Sequence, residues 1–319
     1  MSRRSPILKS DLKILIVRND NIGDLICTTP AIEGLRNHFP TARIDIVVNS
    51  YNRVVVEGNP FLDQIWSYAK PKHCQKIWEK GRAGMGKIKL FTQIFKTGYD
   101  IAILFRSGYS PSAYQFISVS RARRRLGVGS PDKFTDPIVP VPTHEVLLCF
   151  QILKPLGIEY RGERCYFPIN SQLSERFKKY SPGIVLHISS RLPQNRPHPI
   201  QLKKLIAELK GFQLPIYLTG SPEDWEMGIK LEGGEFIKTY NLKELGAFLS
   251  QQDLFITPDG GALHIGGAVG TPTIALFGSS NPMRWAPWGY KKLAIKSSTG
   301  RVEDIPIGEI LKKVELGLK

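Results

Sequence analysis

Long apolar runs are missing from this chain. No window approaches the ~20 uninterrupted apolar residues that a bilayer-spanning helix needs, so no segment reads as a membrane span. Cysteine is scarce. Cys27, Cys74, Cys149 and Cys165 show no CxxC spacing and no neighbouring His cluster, which argues against a disulfide framework or a zinc site and fits free thiols in a reducing compartment. Low-complexity stretches are absent, as are helix-turn-helix, RRM and zinc-finger patterns. The opening MSRRSPILKSDLKILIV is basic, but Lys9, Asp11 and Lys13 interrupt any signal-like apolar region, so a cytoplasmic protein is expected. Negative charge is in deficit: 28 Asp and Glu stand against 44 Lys and Arg, a net charge of +16. The imbalance is lopsided, +11 over residues 1–165 and +5 over the remainder. A basic first half implies a polyanionic partner, whether nucleic acid, an anionic membrane surface or a phosphorylated acceptor.

What is present describes a globular α/β protein. The 319 residues are 42% hydrophobic and 23% charged, enough for two domains of about 150 residues each. Lys13 to Arg18 (KILIVR) reads as a buried strand, Gly23 as a turn, and Asp24 as the start of a helix bearing Leu25, Ile26, Ala31, Ile32 and Leu35. Ala42 to Asn49 is a second strand, so this is a parallel strand-helix-strand unit. Asp24 lies at the carboxyl edge of the first strand, where open parallel sheets carry their ligand crevice. It is also placed to cap its helix.

Lys70 to Lys96 holds eight basic residues opposed only by Glu79 and is broken by Gly81, Gly84 and Gly86. From Lys87 the apolar Ile88, Phe91, Ile94 and Phe95 recur at helical spacing beside Lys87, Lys89 and Lys96. Such a helix either lies on an anionic surface or turns its apolar side to the core. Tyr99 to Phe105 is another buried strand, RARRRLG (121–127) a basic cluster before a turn, and Thr143 to Gly157 a helix. The second half opens with the strand GIVLHIS (183–189) and the loop SRLPQNRPHP (190–199). Helices follow over Gln201 to Lys210, Asn241 to Ser250 and Pro306 to Leu318, with a strand over Pro215 to Thr219 that ends at the acidic pair Glu223 and Asp224.

The chain is organised around DLFITPDGGALHIGGAVGTPTIALFG (253–278). An apolar strand, a turn at Asp259-Gly260-Gly261, a helix of small residues and a second strand make one crossover unit. Two glycines let a ligand approach the backbone, and the free N–H groups that open the helix suit a phosphate or pyrophosphate. Asp259 and His264 flank the turn and could hydrogen-bond a sugar or phosphate.

Two separated motifs look familiar. KILIVRNDNIGDLICTTPAIEGLRNHFPTARIDIVVN resembles the opening of glycosyltransferase family 9, the heptosyltransferases of lipopolysaccharide assembly, and TPDGGALHIGGAVGTPTIALFGSSNP resembles the same family's signature near its end. The likeness extends through NRPHP and GSPEDWE over nearly the whole chain. It implies an α/β GT-B fold, two Rossmann-like doubly wound parallel-sheet domains facing across a cleft. Residues 1–165 would bind the acceptor and 166–319 the nucleotide sugar, with the terminal helix 306–318 packing back on the first domain. It implies an inverting, metal-independent transfer with no cofactor, usually from ADP-heptose. Asp24 falls on the family's catalytic base and Arg18 on a basic residue ending the first strand. Arg196 stands where a Lys contacts the donor phosphates, Asp224 where an acidic residue holds the ribose, and Asp259, Gly260, Gly261 and His264 on the donor turn; Ser189 and Ser190 join the donor side. Acceptor candidates are Arg18, Asn21, Gly23, Lys87, Lys89, Arg121, Arg123, Arg124 and Arg125. Two departures stand out: Arg196-Pro-His-Pro replaces a common Lys-Trp-Pro, and Gly260 replaces a hydroxyl residue.

The expected partners are thus a nucleotide sugar, an anionic glycolipid acceptor and the cytoplasmic face of the inner membrane, with no metal and no nucleic acid. A nucleic-acid-binding protein, a nucleotide-sugar epimerase of the same fold and a binding-only family member are the rivals. The first leaves the glycine turn unexplained, and the other two leave Asp24 without a task.

Overall fold

The computed structural model describes residues 12–70 and 77–319. The basic N-terminal tail, Cys74 and part of the Lys70–Lys96 stretch lie outside the described residues.

The first half runs β1 (Lys13–Val17), α1 (Ile22–Ile26), α2 (Thr29–His38), β2 (Arg43–Asn49), β3 (Gln64–Tyr68), α3 (Ile77–Thr97), β4 (Ile101–Leu104), α4 (Pro111–Val119), β5 (Arg124–Val128), β6 (Asp136–Ile138) and α5 (Glu145–Leu153). Its strands form one parallel sheet in the order β3-β2-β1-β4-β5-β6. The second half runs α6 (Ser171–Phe177), β7 (Ile184–His187), α7 (Pro199–Leu209), β8 (Ile216–Thr219), α8 (Trp225–Ile229), β9 (Glu235–Phe236), α9 (Leu242–Leu249), β10 (Leu254–Pro258), α10 (Gly261–Ala268), β11 (Thr273–Phe277), α11 (Pro282–Trp285), β12 (Ile295–Lys296) and α12 (Ile307–Gly317). Its sheet, also parallel, is ordered β12-β11-β10-β7-β8-β9.

Both sheets are covered by helices, so their central strands are apolar on both faces: Ile14, Leu15, Ile16 and Val17 in β1 and Leu254, Phe255 and Ile256 in β10 are fully buried. Each sheet reverses its strand order once, between β1 and β4 and between β7 and β10. Crevices open beyond the carboxyl ends of the strands at such reversals. Arg18 to Asp24 follows β1, Ser189 and Ser190 follow β7, and Asp259 to Gly261 follows β10.

The two crevices meet because the halves share an apolar seam. One cluster of buried side chains runs from Ile22, Leu25 and Ile26 in the first half to Phe248 and Ile265 in the second. At that seam α1 packs on α10. Gly23 makes the approach possible: a Cβ there would stand 2.3 Å from His264 Cδ2. The glycine read from sequence as a turn is therefore helical, and its missing side chain is where the second half fits.

Four other expectations change. The single helix after β1 divides at Cys27 and Thr28 into α1 and α2, the second opening with Pro30 at a permitted first-turn position. Glycines 81, 84 and 86 do not interrupt α3, which continues for 21 residues. Each glycine costs a helix about 1 kcal/mol but does not forbid it, and burial of Leu90 and Ile94 holds the segment down. RARRRLG, read as a basic cluster before a turn, is strand from Arg124 onward, where β5 begins. Finally, α12 does not return to the first half. Its buried Ile310 and Val314 belong to the second half's own core, against α7 and β11.

Candidate active site

A cavity of about 680 Å³ lies between the halves. From the first it is lined by Asn21, Ile22, Gly23, Asp24 and Tyr51; from the second by His187, Ser189, Ser190, Arg196, Glu223, Asp259, Gly260, Gly261, His264 and Trp285, among others.

Asp24 does not cap its helix. Asn21 occupies the cap position, and the Asp24 carboxylate points elsewhere: Oδ1 accepts from Arg18 Nη2 at 2.8 Å and Oδ2 from Asn21 Nδ2 at 3.0 Å. Burial works against its charge, but the Arg18 guanidinium, the Asn21 amide, His264 and Arg106 together hold this carboxyl below the usual carboxylate range. It is ionised at neutral pH. Asp20 shifts the other way, because burial outweighs the pull of Arg18 and Arg106.

Arg18 is the buried centre of this corner. Its Nη1 donates to the Phe105 carbonyl, its Nη2 donates to both Asp24 and Glu145 at 2.8 Å, and its Nε lies 3.0 Å from Asp20. With 1% of its side chain exposed it cannot grip an acceptor; it organises carboxylates instead. That corrects its placement among the acceptor-binding candidates.

On the opposite wall the backbone turns at Gly260, whose φ of 170° is ordinary extended backbone. Its glycine identity serves space, not strain: a Cβ there would meet no protein atom, only the cavity. Gly261 opens α10, whose first N–H groups are free for an anion. Arg196 lines the same cavity, held by the Ser190 carbonyl at 2.7 Å and by Asp224 at 3.3 Å. Ser189 Oγ accepts from the Ser221 N–H at 2.7 Å, which fixes the loop after β8. His264 is buried, its Nδ1 3.6 Å from Cys27 Sγ.

Several residues singled out from the sequence do not line the cavity. The Asp224 carboxylate is spent on Arg196 and Ser221, and the acidic side chain lining the cavity is its neighbour Glu223. Arg121, Arg123 and Arg124 lie at the wrong end of the sheet: Arg124 is level with Ile101 and hence with Ile14, where β1 begins, whereas Asp24 follows its end. Arg124 is further tied to Asp136 at 2.8 Å. Arg125, also at the start of β5, has one nitrogen 3.4 Å from the Tyr114 hydroxyl. Lys87 packs over Tyr68, whose strand end faces the ligand edge, and bonds Gln115 at 2.8 Å; Lys89 is exposed. Glu145 and Arg284 were missed altogether. Nothing local marks them, since each acquires its partner only by tertiary folding.

The family model of glycosyltransferase family 9 (heptosyltransferase) matches residues 124–315. The chain belongs to glycosyltransferase family 9. Lipopolysaccharide heptosyltransferase 3 of Escherichia coli (strain K12) is 26% identical over 295 residues, covering 83% of this chain and 82% of that one. Among solved structures, a glycosyl transferase family 9 protein from Veillonella parvula superposes with a TM-score of 0.84 at 20% identity, covering 99% of both chains. The E. coli heptosyltransferase WaaC with ADP gives 0.80 at 15% identity, covering 96% of this chain and 100% of that one. The fold is GT-B, and the family 9 protein described here is a heptosyltransferase-like glycosyltransferase. No described helix is long and apolar enough to cross a membrane.

Proposed function

We propose that this protein transfers a heptose from ADP-heptose to an anionic acceptor of the lipopolysaccharide core, by one inverting displacement that needs no metal and no further cofactor. The observation that carries the reading is that Asp24 and the Gly260–Gly261 turn line one cavity from opposite halves. The names of the relatives support the sugar and the acceptor class.

The chemistry follows from the walls. Asp24, ionised and partly exposed at 16%, takes the acceptor hydroxyl proton as its oxygen attacks the anomeric carbon. The bond to the diphosphate breaks on the far side, so the anomeric centre inverts. Negative charge developing on the diphosphate meets the N–H groups at the start of α10 and the Arg196 guanidinium. Glu223, with Ser189 and Ser190 near it, is placed to receive ribose hydroxyls, and His264 and Asp259 frame the sugar.

The acceptor is read as a glycolipid at the cytoplasmic face of the inner membrane, not as nucleic acid. On α3, Leu90 and Ile94 are buried, yet Met85, Ile88 and Phe95 are exposed beside the exposed Lys89 and Lys96. An apolar stripe with lysines at its margins matches an anionic lipid surface.

Differential stabilisation by ADP, UDP and GDP tests the donor. A thermal shift with ADP alone, and transfer from ADP-heptose that survives EDTA, is expected. An equal response to all three nucleotides refutes the donor assignment.

A further inference from the structure

Glu145 is fully buried and lines no part of the cavity, yet it sits one atom from the proposed base. It is the first residue of α5, where the helix dipole favours an anion. Its Oε1 accepts from Arg18 Nη2, the same nitrogen that binds Asp24 Oδ1, both at 2.8 Å. Its Oε2 accepts from Arg284 of α11 at 2.8 Å through Nη2 and 3.0 Å through Nε. Arg284 belongs to the second half and is about one-third exposed; Trp285, next to it, lines the cavity. The described charged and titratable groups around this corner are Arg18, Asp20, Asp24, Arg106, His144 (whose pKa burial lowers), Glu145, His264 and Arg284, with Cys149 a neutral thiol whose pKa burial pushes up.

Stability alone is a weak reason for this arrangement. A buried charge network commonly holds a fold no better than apolar side chains of equal volume. What it provides is a physical connection: Arg284 in one half, Glu145 and Arg18 in the other, Asp24 at the end. We propose that Arg284 is a positioning residue, acting through Glu145 and Arg18 to orient the Asp24 carboxylate when the two halves are together. With Arg284 in place, Glu145 is shared, and the Arg18 nitrogen bridges two carboxylates in a fixed geometry. Without it, Glu145 draws on Arg18 alone, and Asp24 loses its alignment toward the acceptor hydroxyl. The inference rests on Asp24 being the base of the transfer reaction.

The test uses the full chain with selectively labelled aspartate, the Asp24 carboxyl carbon being assigned by its loss in Asp24→Asn. In Arg284→Gln that resonance is expected to move at pH 7 in the ligand-free protein. kcat falls about tenfold, short of the ~10²-fold that a 1 Å misplacement can cost, while donor KM stays within about twofold. Arg284→Lys restores most of the loss. Adding Arg284→Gln to Glu145→Gln worsens neither readout, because the connection is already cut. An unmoved Asp24 resonance with unchanged kcat in Arg284→Gln overturns the proposal and leaves a staple between the halves; so do losses that multiply in the double variant. Should Glu145→Gln not fold, the two Arg284 variants decide alone. The resonance is read without turnover, so its result stands apart from the donor and acceptor assignment, which fails separately if wild-type protein transfers no heptose.

Discussion

Substituting Gly23 by alanine tests the central geometry with one carbon atom. The new Cβ would lie 2.3 Å from His264 Cδ2 and 2.7 Å from its Nε2, where carbon atoms normally sit about 3.5–4.0 Å apart. Relief therefore requires a shift of about 1 Å or more between α1 and α10. His264 has little freedom to supply it, being buried against Cys27 and edge-on to Trp285. Overpacking of this kind costs about 1–3 kcal/mol. Its larger effect falls on rate, since Asp24 is carried by α1 and the donor turn by α10. A 1 Å misplacement of reacting groups costs up to ~10²-fold, so kcat is expected to fall between about tenfold and a hundredfold. ADP binding, assigned to the second half by the proposed function, is expected to change little. Steady-state kinetics with isothermal titration calorimetry reads both numbers. The double variant Gly23→Ala with His264→Ala regains stability, giving a coupling energy of opposite sign to the single loss. Wild-type kcat in Gly23→Ala would refute the claim that the halves meet at this point.

Asp24→Asn should lower kcat by about 10²–10⁴-fold with ADP affinity retained; because its carboxyl is held below the usual range, chiefly by the Arg18 guanidinium against the effect of burial, wild-type activity should persist on the acid side past the pH at which an ordinary aspartate protonates. Glu223→Gln should weaken ADP binding more than Asp224→Asn weakens it directly, whereas Asp224→Asn should act by loosening Arg196, seen as a loss restored by no change at Glu223. Burial drives the His187 imidazole from 6.5 down to about 4. Its contribution is complete above pH 6.5 and is lost as pH falls from 6.5 to 4, by at most about 3 kcal/mol given that the ring borders the cavity; His187→Gln should flatten urea stability over that interval. Binding to vesicles with anionic lipid should weaken with salt and with Lys89→Gln plus Lys96→Gln, and salt-independent binding would remove the electrostatic part of the membrane reading.

Much of this site was legible because its chemistry is local. A strand followed at once by Asp24, and another followed by Asp259-Gly260-Gly261, put each group at a carboxyl strand end, and parallel topology then places both ends at crevices. The fold class was legible for the same reason, from apolar strands alternating with amphipathic helices. What failed was anything set by distant partners. Arg124 looks like a surface cation until Asp136 and the register of β5 put it at the far end of the sheet. The sequence shows Glu223 and Asp224 as equals; Arg196 and Ser221 separate them, by occupying Asp224. Gly23 reads as a turn because glycine usually means backbone freedom, and the ring that needs its space lies 241 positions away.

The resting place of α12 bears on how a bulky glycolipid enters. Since that helix stays with its own sheet, the chain crosses between lobes once among the described residues, near residues 154–170, and no second crossing among them limits their separation. Separation is restrained by the ion pairs Glu145–Arg284 and Glu57–Lys243, which cross between the halves, and by what would become wet: Ile22, Leu25 and Ile265 along the seam. Admission of the acceptor is in this sense a question of surface wetting at a joint, governed by a few apolar side chains and the ion pairs beside them, and not of chain connectivity.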